Sequence, residues 1–329
     1  MGGAWIPRPF FKMEMGETVM RKIDAVILTY RPGKELGELL KRLASQSLSI
    51  HKIRIMNTRY GVFPEEIIAG YSNAEVVHLE KAEFDHGGTR HEAAKMSDAD
   101  YVLFLTQDAL PADRYLVEKL AEAFSDPRVK AAYARQLPRE DCGELERYTR
   151  SFNYPEESRV KTKADLETLG IKTFFCSDVC AMYELETYRR EGGFVRRTIF
   201  NEDMIYAGGL IKKGYAVAYA AEAKVYHSHN YSGREQFHRN FDLAVSQADH
   251  PEIFQGIASE GEGIRMVKET ARHCMRIGKP WLVFSLAVTS GCKYLGYKLG
   301  KNYKKLPRWM VTACTADRTY WEKGKGETV

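Results

Sequence analysis

Four short strings in this chain of 329 residues carry side chains able to do chemistry. Asp108 sits in Leu105-Thr106-Gln107-Asp108-Ala109, where a carboxylate can hold Mg²⁺ or Mn²⁺ against phosphate oxygens. A turn aspartate ahead of Pro111 would read the same way. His227-Ser228-His229 puts two imidazoles on one side of an extended segment, a pair of metal ligands needing a third from elsewhere, or else two surface histidines. Asn201-Glu202-Asp203 places two acids in what reads as a first helical turn, which the helix dipole favours without any catalytic duty. Phe84-Asp85-His86-Gly87-Gly88-Thr89-Arg90-His91 combines two glycines that admit close backbone approach with a forked phosphate donor, Arg90, at a helix N-terminus. A plain strand-to-helix turn is the competing reading of that string. Neither GxGxxG nor GxxxxGK is present, so the sequence supports neither a dinucleotide fold nor a P-loop NTPase.

The elements that must position these strings follow from apolar patterning. Residues 25–28, 52–56, 74–79, 101–105 and 129–134 read as strands. The run at 101–105 is apolar on both faces, as in a mostly parallel sheet covered by helices on either side. Leu36, Leu39, Leu40 and Leu43 predict a helix after the first strand, and residues 114–124 predict another. Residues 141–173 are polar and irregular and are expected to run over a sheet face. A short strand at 174–176, a helix at 202–213 closed by Gly214, and strands at 216–220 and 224–227 follow. Helices are then expected at 234–247, 263–277 and 281–299. Residues 1–21 read as a disordered leader, 22–250 as the catalytic domain and 251–329 as a helical C-terminal region.

Composition bounds the classes available. With 44% hydrophobic and 28% charged residues, the chain is neither disordered nor a polytopic membrane protein. Six cysteines without a CxxC pair favour free thiols in a reducing compartment. The longest late uncharged stretch, residues 280–292, falls short of the roughly twenty residues of a spanning helix. The net charge of +5 is uneven: residues 265–318 hold twelve Lys or Arg against Glu269 and Asp317, so that segment is +10 and the rest −5. Such a segment suits an anionic surface, with membrane headgroups expected and no nucleic-acid motif accompanying it.

Taken in order, Val26-Ile27-Leu28-Thr29-Tyr30-Arg31, residues 84–90, Thr106-Gln107-Asp108, Asn201-Glu202-Asp203 and residues 227–232 resemble a family 2 glycosyltransferase of GT-A fold. The nearest likeness is to bacterial rhamnosyltransferases that build surface polysaccharide. The resemblance covers residues 22–250. It implies a Rossmann-like, mostly parallel sheet with helices on both faces and a C-terminal helical extension. It implies that Thr29, Tyr30, Arg31, Asn57, Gly88 and Gln107 line the nucleotide pocket and that Arg90 approaches the donor diphosphate.

By the same resemblance Asp108 is the metal-binding acid, with His227 or His229 as the distant ligand and the spacing to Ser232 favouring His227. Thr106 replaces the first acid of the family's Asp-x-Asp motif, which puts strict metal dependence in question. Asp203 is implied as the catalytic base, and Ser177, Asp178 and Glu202 as contacts to the acceptor hydroxyl. The implied activity is inverting transfer of L-rhamnose from dTDP-rhamnose to a lipid-linked glycan, at the inner face of the cell membrane. A UDP-hexose donor, or a non-catalytic nucleotide-sugar-binding module, is the competing reading. Residues 281–286, apolar among cations, are expected to lie on an anionic leaflet; packing on the catalytic domain or in a homodimer is the alternative.

Overall fold

The computed structural model describes residues 12–14, 17–19, 21–257 and 260–323. Strands β1 (Lys12–Glu14) and β2 (Glu17–Val19) pair with each other as an antiparallel ribbon, so part of the expected leader has structure; the remainder lies outside the described residues.

The main sheet is built from β3 (Ile23–Tyr30), β4 (Lys52–Thr58), β5 (Ala74–Leu79), β6 (Tyr101–Thr106), β7 (Leu110–Pro111), β8 (Val129–Leu137), β9 (Arg159–Lys161), β10 (Cys180–Glu184) and β11 (Ala216–Tyr226). Its order is β5-β4-β3-β6-β10-β8-β11-β7, with β9 added to β11. Strands β3, β4, β5 and β6 pair in parallel, as do β8 and β11, whereas β10 runs antiparallel between β6 and β8.

Period-two alternation in fully buried strands explains the layers. Ile23, Ala25 and Ile27 join one apolar cluster while Val26 and Leu28 join another on the opposite face. Helix α1 (Lys34–Ala44) covers the first face with Leu36, Leu39, Leu40 and Leu43, together with α3 (Leu116–Glu122). The second face is covered by α2 (His86–Lys95), α6 (Leu185–Arg190) and α7 (Glu202–Lys212). The expected GT-A architecture of a mostly parallel sheet with helices on both faces is present.

Three local expectations are corrected. Residues 141–173 contain α4 (Glu144–Asn153), β9 and the single-turn α5 (Leu166–Leu169), which lay their polar sides to solvent and so lack a long apolar period. No strand forms at 174–176: a 3-10 turn, Gly170–Phe174, ends there and the strand is β10. The two short strands expected at 216–227 are one strand, β11, with a register shift between Ala220 and Lys224.

Beyond the sheet, α8 (Gly233–Asp249) begins with a capping box made by Ser232 and Glu235, and α9 (Pro251–Phe254) follows. Helices α10 (Glu260–Arg276), α11 (Leu282–Lys301), α12 (Arg308–Cys314) and α13 (Arg318–Lys323) complete the chain. Helix α11 lies so close on α8 that a Cβ at Gly296 would stand 2.2 Å from the carbonyl oxygen of Phe237. Trp281 and Phe284 are 65% and 77% exposed, while Leu282 and Val283 are half-buried and Leu286 is buried. No helix among the described residues is long and apolar enough to cross a membrane.

Candidate functional site

In an open sheet of this kind the ligand crevice lies beyond the carboxyl ends of the parallel strands. Asp108 follows β6 there, and His227 and His229 follow the neighbouring end of β11. The Asp108 Oδ2 atom is 3.5 Å from His227 Nε2 and 3.3 Å from His229 Nε2, and the two Nε2 atoms are 3.0 Å apart. Asp108, His227 and His229 therefore meet, and both histidines, not His227 alone, stand within reach of the carboxylate.

The imidazoles are prepared as ligands. Burial lowers the His227 pKa to about 3 against the pull of Asp108, and burial likewise lowers that of His229, so both rings are neutral at pH 7. His227 Nδ1 lies 3.0 Å from Gln136 Oε1, an acceptor, which puts the ring proton on Nδ1 and leaves the Nε2 lone pair facing Asp108. One carboxylate and two neutral imidazoles on one side of a point fit a divalent ion with coordination positions left for other oxygens. Thr106, standing in the place of the first acid, has a buried Oγ1 without a hydrogen-bond partner among the described residues.

A second cluster lies where α7 begins. Asn201 precedes it with φ +64°, a left-handed conformation tolerated by asparagine, and its Nδ2 donates to the Leu243 carbonyl. Asp203 is oriented by two backbone donors, Met204 N–H to Oδ1 at 2.7 Å and Asp178 N–H to Oδ2 at 3.2 Å. Its carboxyl is pushed well above the usual range, first by burial and then by the charges of Asp178 and Glu202. Burial raises Asp178 to about 7, and the Tyr183 hydroxyl donates to its Oδ1 at 2.6 Å.

Arg90 is placed differently from the expectation. Its guanidinium is buried and bound by carboxylates, with Nη1 donating to Glu202 Oε1 at 2.8 Å and Nε 3.3 Å from Asp178 Oδ2. Its charge is balanced inside the protein instead of being offered to a diphosphate. For the same reason Glu202 and Asp178 are engaged by Arg90 and Tyr183 inside the cluster. Gly88 also has an internal reason. A Cβ there would come 2.9 Å from Asp85 Oδ1, which caps α2 by accepting the Gly88 N–H at 2.5 Å. At Gly87 a Cβ would meet the Val195 carbonyl at 2.3 Å. The two glycines serve helix capping and chain packing, not ligand approach.

On the nucleotide side, Thr29 and Asn57 are buried and joined, Oγ1 donating to Oδ1 at 2.9 Å, and Asn57 Nδ2 lies 3.1 Å from His78 Nδ1. Gln107 clamps the Tyr30 backbone with reciprocal bonds of 3.1 Å. Arg31, at φ +53°, stacks 3.6 Å from the centroid of Tyr60, beside exposed Tyr30. Sequence reasoning missed Gln136, Tyr183, Tyr60 and His78. Gln136 stands at the carboxyl end of β8, so the crevice rule alone would have found it.

Comparison with known proteins agrees with this geometry. The profile of the family described as Glycosyl transferase family 2 matches residues 24–191. The chain is 38% identical over 302 residues to the O-antigen chain rhamnosyltransferase RfbN of Salmonella typhimurium, covering 91% of this chain and 96% of that protein. It is 39% identical over 305 residues to the O-antigen chain rhamnosyltransferase WbaN of Salmonella anatum, covering 92% and 96%. Among solved structures, the mannosyltransferase PcManGT from Pyrobaculum calidifontis, in complex with GDP-Man and Mn²⁺, superposes with TM-score 0.54 at 14% identity, covering 93% of this chain and 89% of that one. TarS 1-349 from S. aureus gives 0.51 at 13% identity, covering 86% and 91%. The structural likenesses establish the shared fold.

Proposed function

The chain belongs to glycosyl transferase family 2, and on that premise we propose that it transfers L-rhamnose from dTDP-rhamnose, with inversion, to a hydroxyl of a lipid-linked glycan in O-antigen synthesis. The observation that carries the reading is the pairing of two clusters at one end of the sheet: Asp108, His227 and His229 for the leaving diphosphate, and Asp203 for the attacking hydroxyl.

Inversion needs the acceptor oxygen to attack the anomeric carbon from the face opposite the nucleotide. The new C–O bond forms as the bond to phosphate oxygen breaks, the electron pair leaving with dTDP. Asp203, held by two backbone N–H groups, takes the hydroxyl proton, a role worth about 10²–10⁴ in rate. Asp108, His227 and His229 would hold a divalent ion whose charge stabilises the diphosphate. Two nitrogen donors favour Mn²⁺ over Mg²⁺, which binds oxygen almost exclusively. Exposed Tyr30, Arg31 and Tyr60 are suited to the nucleoside, with Thr29, Asn57 and Gln107 supporting that wall from behind, whereas Gly88 caps α2 and takes no part.

The C-terminal helices supply the third part. Exposed Trp281 and Phe284 at the start of α11, and exposed Trp309 with Lys298, Lys301, Lys304, Lys305 and Arg308 towards and beyond its other end, suit the surface of an anionic leaflet, each near-surface cation adding about 1 kcal/mol. Residues 251–329 would thereby hold residues 22–250 against the cytoplasmic face, where the lipid-linked acceptor lies.

The test is a donor screen on the purified chain with Mn²⁺, following nucleotide release from dTDP-rhamnose, UDP-hexoses and GDP-mannose in the presence of lipid-linked acceptor. Turnover of dTDP-rhamnose with an inverted anomeric signal in the product supports the reading. Preferential turnover of a UDP-hexose, or none with any donor, overturns it.

A further inference from the structure

A cavity of about 330 Å³ lies outside both clusters, within the range of about 300–1,000 Å³ usual for small-molecule sites. Its walls come from three distant stretches: residues 83–92 around the start of α2, residues 196–199, and residues 317–320 at the start of α13. Nothing in the reaction derived above uses it. Thr319 also lines a second hollow of about 310 Å³, bounded by Lys81, Ala82 and Glu322, so the space continues along the surface as a groove.

Two features say what it would take. Phe84 and Tyr320 are among its lining residues, and aromatic rings suit the C–H faces of pyranoses. Its charges are Glu83, Asp85, Glu92 and Asp317 against Arg196 and Arg197, and Arg196 is already paired with Glu92 at 3.1 Å. A net acidic lining repels a diphosphate and favours a neutral ligand, although Asp85 Oδ1 and Asp317 Oδ1 already accept backbone N–H bonds and Glu92 pairs with Lys95 and Arg196. The wall is also fixed in place. Asp85 Oδ1 takes the Arg197 N–H at 3.2 Å as well as the cap of α2, and Arg197 is held at φ +60°, a strained conformation for a residue with a side chain. The cavity wall adjoins the acid cluster: the His86 carbonyl accepts from Arg90 Nη1 at 3.2 Å, and a Cβ at Gly87 would stand 3.2 Å from Glu202 Cβ.

We propose that this cavity is a subsite for the acceptor glycan, binding the neutral sugar units next to the one whose hydroxyl is glycosylated. It deepens the reading given under the proposed function and rests on it. The C-terminal helix α13 then has a direct part in choosing the acceptor, through Asp317 and Tyr320.

The experiment measures binding of methyl α-glycosides of galactose, mannose and rhamnose to the full chain by saturation-transfer NMR, with dTDP and Mn²⁺ as competitors. At least one glycoside is expected to bind and to stay bound when dTDP is added. Tyr320→Ala and Phe84→Leu are expected to weaken it about three- to tenfold, as loss of one stacking ring would, while dTDP affinity stays within twofold. Tyr320→Phe, which keeps the ring, should retain glycoside binding and verifies that the fold persists. Displacement of the glycoside by dTDP, equal binding by all variants, or absence of binding by every glycoside overturns the proposal. Glycoside binding lost in Tyr320→Ala with no transfer from any donor would retain this subsite and remove the rhamnosyl reading. Transfer of rhamnose with unchanged acceptor KM in both variants would do the reverse.

Discussion

Gln136 Oε1 lies 3.0 Å from His227 Nδ1, and the same oxygen accepts from Arg150 Nη1 at 2.5 Å while Gln136 Nε2 donates to Ser177 Oγ at 2.9 Å. One carboxamide thus fixes the tautomer of a metal-side histidine and joins the metal-side cluster to the loop that carries Asp178. Gln136→Ala is expected to lower Mn²⁺ affinity about 10–100-fold, the usual cost of losing an outer-shell partner, as read by electron paramagnetic resonance titration. Unchanged affinity would mean that His227 needs no such orientation.

Asp203→Asn keeps the shape of the side chain and removes the base. Turnover is expected to fall by about 10²–10⁴ while dTDP binding, followed by calorimetry, stays unchanged. Near-normal turnover would remove Asp203 from its role.

The acids around Asp203 set a pH dependence with a definite sign. Asp178, raised to about 7, and Asp203, raised well above its ordinary value, are both higher folded than unfolded. Each contribution to stability is therefore complete below the unfolded carboxylate range near pH 4 and is lost as the pH climbs through the folded value, about 7 for Asp178. Denaturation midpoints should fall between pH 5 and pH 8 as a result. Catalysis needs the ionised base, so rate should rise with pH, with an acid limb displaced above the ordinary carboxylate range. Asp178→Asn, by removing a like charge beside Asp203, should move the acid limb of the pH–rate profile to lower pH; an unmoved limb would contradict the coupling.

Arg90 balances two buried carboxylates, so its removal is a matter of stability first. Arg90→Met should cost about 3–5 kcal/mol in urea unfolding, because Asp178 and Glu202 are left without their cation. A protein of unchanged stability with only a raised donor KM would instead match a diphosphate-binding role.

Membrane attachment is testable apart from catalysis. Trp281→Ala with Phe284→Ala should release the chain from phosphatidylglycerol vesicles in co-sedimentation, while donor hydrolysis in solution is retained. Raised salt should weaken the wild-type association as its cations are screened. Equal binding to neutral phosphatidylcholine would contradict the electrostatic part.

Much of this was legible in the residues themselves. The apolar runs at 25–28 and 101–105 alternate between two faces, which only a sheet covered on both sides explains, and the meeting of Asp108, His227 and His229 follows from their placement beyond strand ends. The strand Cys180–Glu184 was not legible, because its antiparallel insertion between two parallel strands is a matter of topology that no local pattern carries. The Arg90 pairing was hidden for a similar reason. A guanidinium at a helix start looks like a phosphate ligand until two acids, 88 and 112 residues on, are seen to close on it. Glycines 87 and 88 misled in the same way, since close approach by the protein's own chain leaves the same signature as approach by a ligand.

The most direct measurement is anomalous diffraction from a crystal of the chain soaked with Mn²⁺ and dTDP. The account predicts one manganese peak bonded to Asp108 Oδ2, His227 Nε2 and His229 Nε2, with diphosphate oxygens completing its shell and Asp203 on the side of the sugar site opposite the leaving diphosphate. A manganese peak elsewhere, or a diphosphate bound away from these three side chains, would contradict it.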